Sequence, residues 1–294
     1  MAESIRVLVT GGNGRLARAL AAASPEVTAL PRSRLDITDP DQIERELAAG
    51  GYSVVVNAAA MAALEAAEAA PDRAHQVNAV GPGLLAAACA RWSIPLLHLS
   101  TDYVFGAPSD RPWREDEPVS PVNAYGRSKA GGEAQVLAAG PSGRVVRVAW
   151  LFGDDRDFIS QMLRVGRSEG QAAVAHDQVG SPTPIGPLAE RLLWLCRRLA
   201  RGGDAPRILH LVGSPPASRA DWVAAAFDLL VEAGIDTPLL RRVPMATFSS
   251  AATRPNFSAL DGSAADALFG APLDWRTGLA DAIRAGVYRD LDRT

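Results

Sequence analysis

Tyr125 and Lys129, in the run Tyr125-Gly126-Arg127-Ser128-Lys129, stand four positions apart. Helical geometry stacks such a pair on one face. A phenol beside an ammonium is equipped for proton transfer: an isolated tyrosine titrates near pH ~10, and a neighbouring cation lowers it toward the working range. Such a spacing is common by itself. What sets this pair apart is that Lys129 is the single lysine among 30 Lys and Arg residues. Arginine keeps its charge and carries a planar head, whereas lysine offers a compact charge able to touch hydroxyl groups and perturb a phenol. About one helix length upstream, Leu99-Ser100-Thr101-Asp102-Tyr103-Val104-Phe105 ends an apolar run in a polar cluster. Side chains at the C-terminal end of a parallel strand face the crevice where ligands bind, so the Thr101 hydroxyl can hydrogen-bond a carbonyl oxygen there. Ser100 reads as a backbone cap. Thr101, Tyr125 and Lys129 are therefore the expected catalytic set.

A second constellation opens the chain. Thr10-Gly11-Gly12-Asn13-Gly14-Arg15-Leu16-Ala17 follows the first apolar run and leads into an Ala/Leu-rich segment, the strand-turn-helix context of a dinucleotide fingerprint. Glycine lets the backbone turn tightly and approach a pyrophosphate, which sits on the exposed N–H groups of the helix start. Gly11, Gly14, Arg15 and Leu16 are the expected contacts. No carboxylate stands at the end of the second apolar run, Leu30-Pro31-Arg32-Ser33-Arg34. Two guanidiniums stand there instead. Arg32 and Arg34 match a ribose 2′-phosphate in charge and geometry, which favours NADPH and leaves NADH as the alternative. Asp36-Ile37 is placed for the adenine edge, and the small side chains of Asn57-Ala58-Ala59-Ala60 leave room for a flat cofactor against the backbone.

These groups need elements to position them. Ile5–Thr10, Val27–Leu30, Val54–Asn57, Leu96–Ser100 and Val145–Trp150 read as strands, with longer Ala/Leu/Arg helical segments between them. That alternation, without polar alternation inside the strands, predicts a Rossmann-type doubly wound parallel sheet of the α/β class. Asp39-Pro40 and Pro71-Asp72 mark helix starts. The expected division is a dinucleotide-binding domain at 1–150 and a smaller C-terminal α/β substrate lobe at 151–294, with segments around 171–212 free to rejoin the first. Pro182, Pro184, Pro187, Pro215, Pro216, Pro238 and Pro244 break the second part into shorter pieces. A net charge of −3 with no basic stripe gives no footprint for nucleic acid. No apolar stretch approaches the ~20 residues of a membrane span, and the Met1–Ser4 start has no secretory pattern; a cytoplasmic protein is the expectation. Cys89 and Cys196 read as buried small hydrophobes.

The motifs together resemble one family. Thr10 to Gly14, Asn57-Ala58-Ala59-Ala60, Ser100 to Phe105, Tyr125 to Lys129, Asp177-Gln178-Val179-Gly180-Ser181-Pro182-Thr183 and Arg254-Pro255 follow the order and spacing of the dTDP-4-dehydrorhamnose reductase family of extended short-chain dehydrogenases. The resemblance implies reduction of a 4-keto-6-deoxy nucleotide sugar. Hydride goes to the carbonyl carbon, Tyr125 protonates the oxygen, Thr101 holds it, and Lys129 grips the ribose and tunes Tyr125. It further implies substrate contacts from Asp102, Tyr103, Trp150 and Arg254, and it leaves a homodimer open.

The sequence departs from the family after Ala60. Met61-Ala62-Ala63-Leu64-Glu65 stands where related reductases carry polar residues, which leaves the sugar unassigned. Ala19 occupies the place of the glutamate that holds the family's dimer-bridging metal, so no metal is expected. Related dehydratases carry an acid where this chain has Tyr103, which disfavours dehydration. The alternative from another class is a non-catalytic protein resembling the regulatory subunit of methionine adenosyltransferase.

Overall fold

The computed structural model describes residues 5–289; the Met1–Ser4 start, read above as lacking a secretory pattern, lies outside the described residues. The first half of the chain runs β1 (Val7–Thr10), α1 (Arg15–Ala23), β2 (Val27–Leu30), α2 (Pro40–Gly50), β3 (Val54–Asn57), α3 (Leu64–Ala69), α4 (Pro71–His75), α5 (Gly81–Arg91), β4 (Leu96–Thr101), α6 (Ala124–Ala138) and β5 (Gly143–Val148). There follow β6 (Leu151–Phe152), α7 (Phe158–Glu169), β7 (Gln171–Ala175), β8 (Val179–Gly180), β9 (Thr183–Pro184), α8 (Ile185–Ala200) and β10 (Ile208–His210). The chain closes with β11 (Gly213–Ser214), β12 (Ala217–Ser218), α9 (Arg219–Glu232), β13 (Leu239–Val243), α10 (Ser263–Phe269), β14 (Leu273–Asp274) and α11 (Trp275–Arg284).

Six strands form one parallel sheet in the order β2-β1-β3-β4-β5-β10. Because successive strand side chains point to opposite faces, Val7, Val9, Val54, Val56, Leu97 and Leu99 pack under α1 and α8. Leu8, Val55, Leu96 and Val145 pack under α2, α5 and α6. Both faces are thus covered, which is why the strands show no polar alternation. The direction of winding reverses between β1 and β3, and the crevice opens at their carboxyl ends. Cys89 and Cys196 are fully buried in the two faces, and burial pushes both thiols up to about 12.

Several expected boundaries differ, β4 running on to Thr101 and β5 beginning at Gly143. The last of the five expected strands ends at Val148 rather than Trp150, because Trp150 sits at φ +42°, a left-handed conformation that cannot continue a pleated strand. The first starts at Val7, where pairing with β2 and β3 begins. Pro187 does not break the chain; it lies in the first turn of the 16-residue α8, where its missing N–H has no intrahelical partner to lose.

The second lobe is built on the parallel β7–β13 pair with α7, α9 and α11 packed around Trp222, Phe227, Trp275 and Tyr288. Although α8 and β10 follow α7 and β7 in the chain, they pack into the main sheet. Among the described residues no helix is long and apolar enough to cross a membrane.

Placement of α6, which carries Tyr125 and Lys129, depends on close backbone approach. Residues 76–80 form a π-helical turn between α4 and α5. Pro82 has no N–H for the Asn78 carbonyl four residues back, and Gly132 of α6 comes so near that a Cβ there would lie 2.2 Å from that oxygen. At the other end, a Cβ on Gly126 would lie 2.1 Å from the Tyr103 carbonyl oxygen. Glycine at both positions lets α6 seat against the turn and the end of β4.

Candidate active site

The glycine turn is shaped as the fingerprint requires. Gly11 adopts φ +70°, and a Cβ there would meet the Ala59 backbone at 2.8 Å. Gly12 N–H donates to the Leu30 carbonyl and Gly14 N–H to the Gly11 carbonyl. Gly14 caps α1 without a side-chain partner for the helix N–H groups, which leaves them for an anion. Leu16 packs its side chain in the core, so only its main chain faces this end. Arg15 lies across the mouth, its Nε 2.6 Å from Asp154 and its guanidinium donating to the Leu151 carbonyl. Gly11, Arg32, Asp36, Ile37, Ala59 and Met61 line a hollow of about 270 Å³ beside the turn. Ala58 packs behind it, within 3.0 Å of where a Gly11 Cβ would be.

The two guanidiniums expected near the 2′-position are separated. Arg32 lines the hollow and is held by Asp36 at 2.8 Å. Arg34 instead lines a neighbouring open depression with Gln42, Arg45 and Glu46. Arg73, from α4, completes the first hollow; sequence reading did not single it out, because nothing local marks a helix arginine as facing a turn 60 positions away. Asp36 takes hydrogen bonds from the Thr38 N–H and hydroxyl, and these with Arg32 outweigh burial and hold its carboxyl below the ordinary range.

A second hollow of about 320 Å³ lies at the carboxyl ends of β4 and β5, lined by Thr101, Asp102, Tyr103, Tyr125, Trp150 and Arg219. It shares Tyr103, Phe158, Leu64 and Arg219 with a third, of about 450 Å³, that reaches Met162, Gln178, Phe248 and Arg254. The β3–α3 segment separates the first two: Ala59 to Met61 face one, Ala62 and Leu64 the other.

Within this crevice Asn123 caps α6, accepting from Gly126 N–H at 2.8 Å, while its amide donates to the Thr253 carbonyl. That bond ties the Tyr125 helix to the Arg254 loop. Tyr103 and Tyr125 meet edge to face at 6.1 Å. The Thr101 hydroxyl donates to Asp102 at 3.0 Å, and Ser258 donates to the other carboxylate oxygen at 2.6 Å. Burial dominates Asp102 and pushes its pKa up to about 6, against the pull of those two hydroxyls. Burial likewise raises Tyr103 and Tyr125, the Thr101 hydroxyl opposing it at Tyr125.

The expected lowering of Tyr125 by Lys129 is therefore reversed. Lys129 is only 2% exposed; its Nζ donates to the Leu99 carbonyl at 2.6 Å and lies 3.2 Å from His98 Nε2. Burial lowers Lys129 to about 8, and desolvation of the phenol outweighs any charge it supplies. Asn57, fully buried, lies below the crevice floor, joined to Thr10 at 2.6 Å and His98 at 2.9 Å.

Trp150 carries the left-handed backbone noted above, of the kind that concentrates at functional sites. The Arg219 guanidinium stacks 3.8 Å from its ring centroid, and its indole nitrogen is buried without a partner, as is the Ser100 hydroxyl. Two orphaned polar atoms on the crevice wall fit a site that awaits a polar ligand. Arg254 pairs with Glu65 at 3.0 Å. The same carboxylate accepts from Ser250 and from the Ala251 and Ala252 N–H groups, clasping the 250–254 loop over α3.

Arg219 escaped sequence reading, although one signal was present. It is the first residue of α9, behind the Ser218 cap, where a cation opposes the helix dipole. A cation in that position asks for another reason to be there.

The RmlD substrate binding domain family matches the chain over residues 5–287. The dTDP-4-dehydrorhamnose reductase of Mycolicibacterium smegmatis is 42% identical, the match covering 98% of this chain and 88% of that one. Among solved structures, a dTDP-4-dehydrorhamnose reductase from Clostridium acetobutylicum superposes with a TM-score of 0.85 at 31% identity, covering 96% of this chain and 99% of that one. The dTDP-4-dehydrorhamnose reductase of Bacillus anthracis, solved in complex with NADP, gives 0.86 at 26% identity, covering 96% and 100%.

Proposed function

From its membership of the dTDP-4-dehydrorhamnose reductase family, to which the chain belongs, we propose that it is an oxidoreductase reducing the 4-keto group of a dTDP-linked 6-deoxy sugar with NADPH. The observation that carries the reading is the gathering of Thr101, Asp102, Tyr103 and Tyr125 in one hollow, across the β3–α3 segment from the glycine-lined one.

The glycine turn fits a dinucleotide: side chains at Gly11 and Gly12 would occupy backbone space, and the α1 N–H groups lack a cap. In this reading Gly11, Gly14 and the main chain of Arg15 and Leu16 hold the pyrophosphate, Arg32 meets the 2′-phosphate, and Asp36, Ile37, Asn57, Ala58 and Ala59 border the adenosine side. The bound nicotinamide supplies hydride. Tyr125, its pKa raised by burial, keeps its proton and delivers it from Oη to the carbonyl oxygen, a contribution typically worth ~10²–10⁴-fold. Thr101 holds that oxygen once its hydroxyl proton turns from Asp102 to the ligand. Lys129 binds ribose hydroxyls. Arg219 and Arg254, both lining the third hollow, hold the diphosphate, and Met162, Val174 and Phe248 form an apolar seat for the base. Trp150 and Tyr103 bound the sugar.

The test is NADPH consumption against a panel of 4-keto-6-deoxy nucleotide sugars. Turnover with the dTDP-linked sugars, weaker with UDP-linked ones, is the expected result. No turnover with any member, with copurification of a synthetase, would overturn it in favour of a regulatory subunit.

A further inference from the structure

Tyr125, Lys129 and Glu133 follow one another at four-residue intervals along α6, so they share one side of the helix. That helix has little apolar surface to fix its place along the sheet. Of its seven buried residues only Val136 carries a large apolar side chain, the others being alanine, glycine, serine, Lys129 and Glu133. The side-chain ridges that key one packed element into the grooves of another are therefore nearly missing. The close approaches at Gly126 and Gly132 set how near α6 lies, and a surface of small residues does little to stop it sliding. At the far end of the row, Glu133 receives a two-bond fork from Arg147 of β5, from Nε at 2.9 Å and from Nη2 at 2.7 Å. Both side chains are buried, 5% and 2% exposed.

The other contacts of Arg147 reach the rest of the crevice. Its Nη1 donates to His210 of β10 at 3.1 Å, and its guanidinium carbon lies 5.0 Å from the Phe105 ring centroid. Phe105 comes directly after the Asp102–Val104 turn, and Val148, Ala149 and Trp150, the next three residues after Arg147, line the hollow that holds Thr101 and Tyr125. One guanidinium thus ties together the helix, the strand and the turn that carry Tyr125, Trp150 and Thr101. Two charges taken out of water gain little or nothing in stability over apolar packing of similar volume. What a fork adds is direction. We propose that the buried Arg147–Glu133 pair sets the position of α6 along the sheet and so places the Tyr125 hydroxyl beside Thr101, which makes both members positioning residues. The consequence for turnover rests on the reductase reading.

Glu133→Leu combined with Arg147→Met exchanges the pair for apolar side chains and should fold with a thermal midpoint at or above that of the wild type. Its single-turnover NADPH oxidation with a dTDP-linked 4-ketosugar should nevertheless fall about 10- to 100-fold, with a smaller change in KM for the sugar nucleotide, the scale on which a misplacement of about an ångström costs rate. Glu133 also favours the charged form of Lys129, and Arg147→Lys separates that effect from geometry. It keeps a cation against Glu133 but loses the fork, and a fall of about tenfold is expected. Tyrosine ring signals report the displacement without cofactor or substrate. The chain has four tyrosines, Tyr125→Phe identifies one signal, and the edge-to-face contact of Tyr103 with Tyr125 should give a cross-ring nuclear Overhauser effect that both variants weaken. A folded paired variant that keeps the wild-type rate and that ring contact overturns the proposal, and so does Arg147→Lys keeping both. If the wild type turns over no ketosugar, the reductase reading falls and the ring contact alone decides the placement of α6.

Discussion

Replacing Asp102 by asparagine should make the protein more stable above neutrality. Asp102 is 2% exposed, and its oxygens are met by Thr101 and Ser258 hydroxyls rather than by a cation in contact. Its pKa rises from the ordinary 3.8 to about 6 in the folded chain. A carboxyl whose folded pKa lies above its unfolded one binds its proton more tightly when folded, so stability is lost as pH climbs between the two values and is level above the higher. At about 1.36 kcal/mol per pH unit, the displacement amounts to roughly 3 kcal/mol. An asparagine can give its carbonyl to one hydroxyl and its NH₂ to the other, removing the desolvated charge while keeping both bonds. Urea unfolding of wild type and Asp102→Asn should therefore show little difference near pH 4, a gap widening to pH 6, and a plateau approaching ~3 kcal/mol in favour of the variant. Other titrating groups are common to both proteins and cancel. A gap that is flat across pH, or one favouring the wild type at pH 8, would refute the reasoning.

Arg32→Ser should lower the preference for NADPH over NADH about 10- to 100-fold in kcat/KM, the range expected for one hydrogen bond to a charged group at ~1.5–3 kcal/mol; parallel assays with both cofactors check it, and an unchanged ratio would return the preference to other residues. Arg219→Met keeps an apolar stem on Trp150 but removes the guanidinium. It should raise KM for the sugar nucleotide about 10- to 100-fold with a smaller change in kcat. A loss confined to kcat would place Arg219 at the chemistry rather than at the diphosphate.

The sheet was legible because parallel strands covered on both faces are short β-branched runs such as Val54-Val55-Val56, and the glycine turn because its spacing reflects contacts within one βα unit. Boundaries failed where one residue's backbone departs from its type. Trp150 looks like strand and sits at φ +42°, held where Gly180 leaves room for its ring. Arg32 and Arg34 are alike in sequence, and only the turn between them decides that one faces the hollow and the other does not. Lys129 was conspicuous as the lone lysine, yet its burial beside His98 and the Leu99 carbonyl depends on packing of α6 against the sheet, which no local pattern encodes. Glu65, Arg219 and Ser258 act across the crevice from segments distant in the chain, and one sequence holds no trace of such pairing.

Tyr125→Phe tests the central claim most directly. The Tyr125 phenol meets the Thr101 hydroxyl, which also bonds Asp102 and so keeps a partner without it; its removal should leave the fold and NADPH binding in place, as fluorescence titration should show. With a dTDP-linked 4-ketosugar, single-turnover NADPH oxidation should fall ~10²–10⁴-fold. Oxidation at the wild-type rate would contradict the account.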